Sequence, residues 1–435
     1  MSNSKPVSTI QKFRVTLNSL TYRATTFTGL DNLSYAWAWG ANANGTIGDN
    51  TVTLRSSPVS VVGDKQWSSI AQGFAGETYV VGLDNLSYAW AWGVGTTGQL
   101  GDNTVANKSS PVSVVGGKQW INLKTSGNGN ATLALDSSSY AWCWGAGTQG
   151  TMGDNTNTSK SSPVSVVGDR QWIAISAGGT TCVALDASSY AWCWGQNTSG
   201  QIGDNSVASR SSPVSVLGGL QFIYIRSFST VMVGLDGLSY AWAWGTNASG
   251  QLGDNSLASR SSPVSVVGGR QWLSIVPADN GGYLLGIDGL SYAWAWGANT
   301  NGCLGDNNAI GSRSSPVSVV GGRQWRTLAG ASSSTCGLDS QSYAWAWGTN
   351  TSGQLGDNTI TNRSSPVSML IGRQVVSLLA NNSATDSIAV DADGLVWASG
   401  LNASGQLCEG TVAARSSPVS IRVLKQNPTN IFGRK

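Results

Sequence analysis

The chain has 435 residues, 40% of them hydrophobic and 11% charged, with a formal net charge of +3 and no histidine. There is ample material for a core. So weak a charge balance excludes the clustered basic patch of a nucleic-acid groove, and the lack of histidine excludes Ser-His-Asp and Cys-His relays and His-bound metals.

The opening stretch, MSNSKPVSTIQKFRVTLNSL, has no apolar run of secretory length, and no window approaches the ~20 apolar residues of a membrane span. Residues 1–12 read as a solvated tail, matched by a second tail at 425–435. Lys5, Lys12 and Arg14 make one end locally basic, as Arg422, Lys425, Arg434 and Lys435 do the other. The expectation is a protein without membrane insertion, made in the cytoplasm and released, if at all, inside an assembled particle.

Between the tails, residues 13–424 repeat. Aligning on the first Trp of SYAWAWG gives Trp37, Trp90, Trp142, Trp192, Trp242, Trp294, Trp345 and the degenerate Trp397, spaced 50–53 residues apart. A fixed period of this length marks a propeller or solenoid. One period, Gln171–Gly219, divides into the β-prone runs QWIAIS, CVALD, SYAWCWG and SPVSVLG, with a long Asn/Gly/Ser connection between the third and fourth. No 3.6-residue spacing appears. The expected fold is all-β: a single propeller of four-stranded blades, which closes its sheets into a ring and leaves few open edges. Eight units are counted; seven blades result if a weak first strand near Phe13 and the last unit share one blade.

In a strand, alternate side chains face opposite ways, so SYAWAWG has one bulky face and one nearly flat face. The fourteen residues Trp37, Trp39, Trp90, Trp92, Trp142, Trp144, Trp192, Trp194, Trp242, Trp244, Trp294, Trp296, Trp345 and Trp347 are therefore assigned to blade-on-blade packing, indole against the Ala/Ser floor of a neighbour. The rival assignment, sugar- or base-stacking platforms, would not require the alternating Ala.

The GDN strings place Asp49, Asp102, Asp154, Asp204, Asp254, Asp306 and Asp357 in turns, with Glu409 in the last copy, and a Lys or Arg precedes SSP in every repeat. An Asp–Arg pair is expected. A calcium ring is not, because calcium takes six to eight oxygens and one Asp per repeat is thin. The six Cys form no C-x-x-C pair and read as small buried thiols. No catalytic residue, metal site or cofactor is expected.

While the strands stay nearly constant, the loop after the first strand differs in every copy. Constant strands holding differing loops make a rim able to recognise one partner. Phe74, Glu77, Tyr79, Asn128, Phe228, Asp279, Asn280 and Asp386 are its expected contacts, being aromatic or polar where the loops are otherwise Gly and Ser.

The strings GTNASGQLGDN at Gly245–Asn255 and GTNTSGQLGDN at Gly348–Asn358, with Pro-Val about ten residues on, resemble the repeat of the regulator of chromosome condensation family. The resemblance runs over nearly the whole of 13–424. It implies a propeller, usually of seven blades, acting as a noncatalytic scaffold for protein partners: a small GTPase and chromatin in the founding member, a β-lactamase in a bacterial relative. The family's Gly-x-x-His is missing, which weighs against nucleotide exchange. The neutral Asn/Thr/Ser/Gly surface looks like that of repeat proteins of bacteriophages and bacterial surfaces. The reading is a non-catalytic structural or adhesion component of a virion or microbial surface, bound to other structural proteins or a glycan receptor. An intracellular small-GTPase regulator and a carbohydrate-binding lectin are the alternatives.

Overall fold

The computed structural model describes residues 17–23, 26–73, 79–126, 130–278, 282–370, 372–380, 385–409 and 411–421; both tails with their basic residues, and Phe13, lie outside them. Eight four-stranded antiparallel sheets follow one another along the chain, each with its strands in sequence order. Blade 1 comprises Leu17–Arg23, Thr26–Asp31, Ala36–Gly40 and Arg55–Ser60. Blades 2 to 7 begin at Trp67, Trp120, Trp172, Phe222, Trp272 and Trp325. Blade 8 is complete, with Val375–Ala380, Asp386–Asp391, Val396–Gly400 and Arg415–Ser420, so the ring has eight blades and the seven-blade alternative fails. No helix among the described residues is long and apolar enough to cross a membrane.

The first strand is described from Leu17 to Arg23, and the expected start near Phe13 lies outside the described residues. Leu17 pairs with Asp31 as Trp67 pairs with Asp84, so blade 1 carries Leu where later blades carry Trp, and the marker for the strand's start is missing from the sequence. First strands of neighbouring blades lie side by side around the axis. Fourth strands form the periphery, where Pro58 and its equivalents cost no ladder bond because the outer edge is unpaired.

Two rims result. The loops joining first to second strands and the long loops joining third to fourth emerge at one rim, because Tyr79, Gly93 and Lys108 stand level in the ladder. The opposite rim carries the hairpins between second and third strands and the linkers to the next blade.

One apolar cluster spans each of the eight interfaces. Trp90 and Trp92 of blade 2 meet Ala36 and Ala38 of blade 1, large against small. The second indole of each motif is buried and donates Nε1–H to a carbonyl in the preceding blade's long loop, as from Trp92 to Thr46 at 2.9 Å and Trp244 to Gln201 at 3.0 Å. Burying ~150–250 Å² of indole at ~25 cal/mol/Å² is worth at most roughly 4–6 kcal/mol per Trp before entropy. The same bond closes the ring: Trp39 of blade 1 donates to the Gln406 carbonyl of blade 8 at 3.0 Å. Among the described residues each sheet keeps its own four strands, and the last interface is made as the others are.

Blade 8 departs from the pattern. Val375 replaces the inner-strand aromatic, and Ser399 replaces the second Trp and reaches the Gln354 carbonyl at 3.4 Å. Met369 and Leu370 are buried against the gap. A cavity of about 150 Å³ remains between Thr327–Ala329, Cys336 and Leu338 of blade 7 and Val376–Leu378 of blade 8.

Gly203 shows why the loop before each second indole carries glycine: its φ is +79° and an added Cβ would stand 2.7 Å from Trp244 Nε1. Gly219 has a similar φ of +61° with nothing within 4 Å of such a Cβ. In equilibrium denaturation, Gly203→Ala is expected to cost ~3 kcal/mol, from backbone strain and a displaced indole, and Gly219→Ala ~1 kcal/mol from strain alone. Equal losses would show that the glycine–indole approach contributes nothing.

Candidate functional site: the loop-bearing rim

The long loops are built from side chains that bond their own backbone. In blade 1, buried Asn42 accepts from the Ile47 amide through Oδ1 at 2.9 Å and donates through Nδ2 to the carbonyls of Thr51 and Thr53. Asn197, Asn247, Asn350 and Asn402, which begin N-x-[ST] strings, occupy the same place and are fully buried, so they are loop staples and not surface acceptors.

Asp49 Oδ1 accepts from the Thr51 amide and hydroxyl, and Oδ2 pairs with Arg55 at 2.6 Å. The expected pair is thus made within each blade, and recurs through Lys108–Asp102, Lys160–Asp154, Arg260–Asp254 and, in the last copy, Arg415–Glu409. Burial alone would raise these carboxyls. Hydrogen bonds from the Thr or Ser hydroxyl and from Arg or Lys outweigh it and hold Asp49, Asp154, Asp204, Asp254, Asp357 and Glu409 below their ordinary values.

Between the acid and its cation the loops of seven blades expose an aliphatic side chain, and that of blade 1 exposes a second, Leu54. Val52, Val105, Val207, Leu257, Ile310, Ile360 and Val412 are 61–79% exposed, and only blade 3 differs, with Asn157. The next position drifts through Thr, Ala and Gly. Identity has changed among Val, Leu and Ile while aliphatic character has stayed, on a loop held from below by Asn, Asp and Arg. Sequence reasoning passed over this position, although its signal, an apolar residue two or three places after GDN's Asn, was there.

Of the eight expected rim contacts, Phe74, Glu77, Asn128, Asp279 and Asn280 lie outside the described residues. The other three are corrections. Tyr79 is buried and donates its hydroxyl to the Ala131 carbonyl of blade 3 at 2.8 Å, Phe228 is buried, and Asp386 is buried beside Thr385. Each stands in the ladder, opposite Gly93, Val231 and Gly400 respectively, so its side chain enters an interface and not the rim.

The two Trp of each motif occupy different environments. The second is fully buried; the first is half-buried, and its Nε1–H reaches an aspartate, as Trp37 reaches Asp31 Oδ2 at 2.9 Å. Asp31 Oδ1 also accepts the amides of Leu33 and Tyr35, so one carboxylate shapes the hairpin and clasps the indole. A linker cation then covers the ring: Lys65 lies 3.4 Å from Trp90 and Arg270 3.5 Å from Trp294, with like contacts at Trp142, Trp192, Trp345 and Trp397. A sugar has no free face to stack on at these six rings.

The six thiols are buried and form no disulfide. A hydrogen bond with Cys182 and then burial push the Cys143 thiol well above its ordinary value, and burial pushes Cys303 up to about 12. Neither is a thiolate near neutral pH.

Two family models of the regulator of chromosome condensation (RCC1) repeat match residues 140–185 and 172–201. The chain carries repeats of this family. Similar curated proteins include the ultraviolet-B receptor UVR8 of Arabidopsis thaliana, 28% identical over 146 residues that make up 33% of this chain and 32% of that one. The E3 ubiquitin-protein ligase HERC2 of Homo sapiens is 26% identical over 122 residues, 27% of this chain and 2% of the ligase. The chain thus spans a third or less of the relatives it matches. Among solved structures, human WBSCR16 aligns with a TM-score of 0.63 at 16% identity, covering 80% of this chain and 96% of that one. Prp20p of Saccharomyces cerevisiae aligns at 0.61 and 16%, covering 83% and 90%. At such identity the likeness is one of fold.

The repeated acid–cation pairs set a pH dependence. The carboxyls of Asp49, Asp154, Asp204, Asp254, Asp357 and Glu409 lie lower in the folded than in the unfolded chain, so their stabilisation is fully present above the unfolded value near ~4 and is lost as pH falls through the folded values. The thermal midpoint is expected to stay level from about pH 7 to 5 and to fall steeply below about pH 4. A midpoint unchanged or rising between about pH 4 and 2.5 would contradict the pairing.

Proposed function

We propose that the chain is a non-catalytic binding ring which docks a protein partner on its loop-bearing rim. The observation that carries this reading is the exposed aliphatic residue kept on seven of eight long loops, where the position after it varies among Thr, Ala and Gly. Exposed apolar side chains are disfavoured singly by nothing and gathered on one face by binding. A cored ring with rigid loops pays little ordering entropy on docking, which suits a scaffold. The place we propose for it is a multi-component assembly, a virion or a microbial surface, where its low charge and polar Asn, Thr and Ser surface would pack against other structural proteins.

A second reading, regulation of a small GTPase, is favoured by the fold shared with Prp20p, whose structure is described with its binding to Gsp1p and histones.

Both are tested by affinity capture from the native source with the full chain and a triple variant, Val207→Asp, Leu257→Asp and Ile310→Asp. The proposal expects discrete protein partners retained by the parent and lost, at least about tenfold, by the variant with an unchanged unfolding midpoint. Partners kept by the variant would overturn the rim assignment. Capture that changes between GDP- and GTP-loaded small GTPases would select the second reading.

A further inference from the structure

The opposite rim carries a different pattern. Just after the buried aromatic that begins each first strand, one side chain stands exposed at a bulge in the ladder. In four successive blades, 3 to 6, that residue is Ile121, Ile173, Ile223 and Leu273, between 56 and 64% exposed. In blades 2 and 7 it is Ser68 and Arg326, and in blade 8 it is Val376, 61% exposed but cut off from the other four by Arg326. The repeats are otherwise so alike that this change marks one arc of the rim.

Each position lies beside the hairpin tip of the preceding blade, joined to it by a Gln side chain: Gln119 donates to the Leu86 carbonyl and Gln271 to the Leu238 carbonyl. The tips flanking the four rungs are, in order, Leu86, Ser138, Ser188 and Leu238. The arc therefore reads Leu–Ile, Ser–Ile, Ser–Ile, Leu–Leu, nearly the same from either end. Leu86 and Leu238 are 67 and 68% exposed.

We propose that this arc is the contact face for a second copy of the same chain, two rings meeting rim to rim about a two-fold axis that passes between blades 4 and 5's rungs, Ile173 and Ile223. A two-fold contact uses one patch on both partners and needs it to match its own reversal. Here the two-fold places Leu86 and Ile121 against Leu238 and Leu273 of the second copy, and Ile173 against its Ile223, while Ser meets Ser. The rungs also repeat at the pitch of the blades, which the same arc on another copy shares.

The size agrees. Six aliphatic side chains exposing roughly 100 Å² each give about 600 Å² per ring and about 1,200 Å² in all, the lower bound of a stable specific interface. Charge does not oppose the contact: the linker cations behind the arc, Lys118, Arg170 and Arg270, lie over Trp142, Trp192 and Trp294. Such pairing leaves both loop-bearing rims facing outward, so a dimer would present its docking surface twice.

The test is sedimentation equilibrium of the full chain between about 1 and 100 µM. The parent is expected to approach twice the 45.0 kDa chain mass. Ile173→Asp with Ile223→Asp is expected to weaken self-association at least about a hundredfold with an unchanged unfolding midpoint, because both side chains are exposed. Val207→Asp with Ile360→Asp, on the other rim, is expected to leave the dimer intact. A parent that stays at the chain mass throughout, a dimer that survives the Ile substitutions, or one that the loop-rim substitutions dissolve would overturn the proposal. None of these results bears on partner capture by the loop-bearing rim, which is read separately.

Discussion

The structure depends on one contact made between neighbouring blades: an indole laid on a floor of Ala or Cys, with its N–H donated to a loop carbonyl of the preceding blade. Each part requires the others. The indole needs small residues opposite it, the carbonyl is presented by a loop bent through a left-handed glycine, and that glycine is needed because any Cβ would strike the indole. Trp on one strand, Ala on the facing strand and Gly in the long loop are thus a single device repeated around the ring. Its use at the junction of blades 8 and 1 joins the last blade to the first as the other blades are joined.

What was legible in the sequence was whatever repeated with a period of two or of about fifty. Alternation in SYAWAWG revealed the strand and its two faces, and the spacing of Trp37 to Trp397 revealed eight units, while the choice between seven and eight blades waited on the complete blade 8. Less legible were features whose partner lies far away or whose signal is a single residue. Asp31 is identical in every repeat, yet nothing local says that it clasps Trp37 rather than only turning the hairpin. Lys65 looks like a solvated charge until the next blade's Trp90 is placed beneath it. The first strand of blade 1 was expected only as a weak one, because Leu17 stands where most repeats have Trp.

Tyr79, Phe228 and Asp386 failed as rim contacts for a related reason. A loop that varies between copies was read as exposed to its last residue, whereas its ends are already strand, and their side chains are committed to an interface. Variation marks where the ring tolerates change; exposure is decided by register. The retained aliphatic of the long loops was the more informative signal, because its constancy of character has no account inside the fold.

The two rims are thereby distinguished by how they depart from the repeat. On one, an exposed apolar residue is kept around nearly the whole ring; on the other, it runs unbroken only through blades 3 to 6, with Val376 apart from them in blade 8. The interface between blades 7 and 8 departs in a third way, by losing its indoles to Val375 and Ser399 and keeping a cavity. The central claim, that the second indole of each motif holds the ring together, is tested most directly by hydrogen exchange at the indole N–H groups followed by NMR. The account predicts that Trp39, Trp92, Trp144, Trp194, Trp244, Trp296 and Trp347 exchange slowest and together, at the rate of global unfolding, with the half-buried Trp37, Trp90 and Trp397 exchanging faster. Equal rates for the two classes, or fast exchange at Trp39 alone, would contradict it.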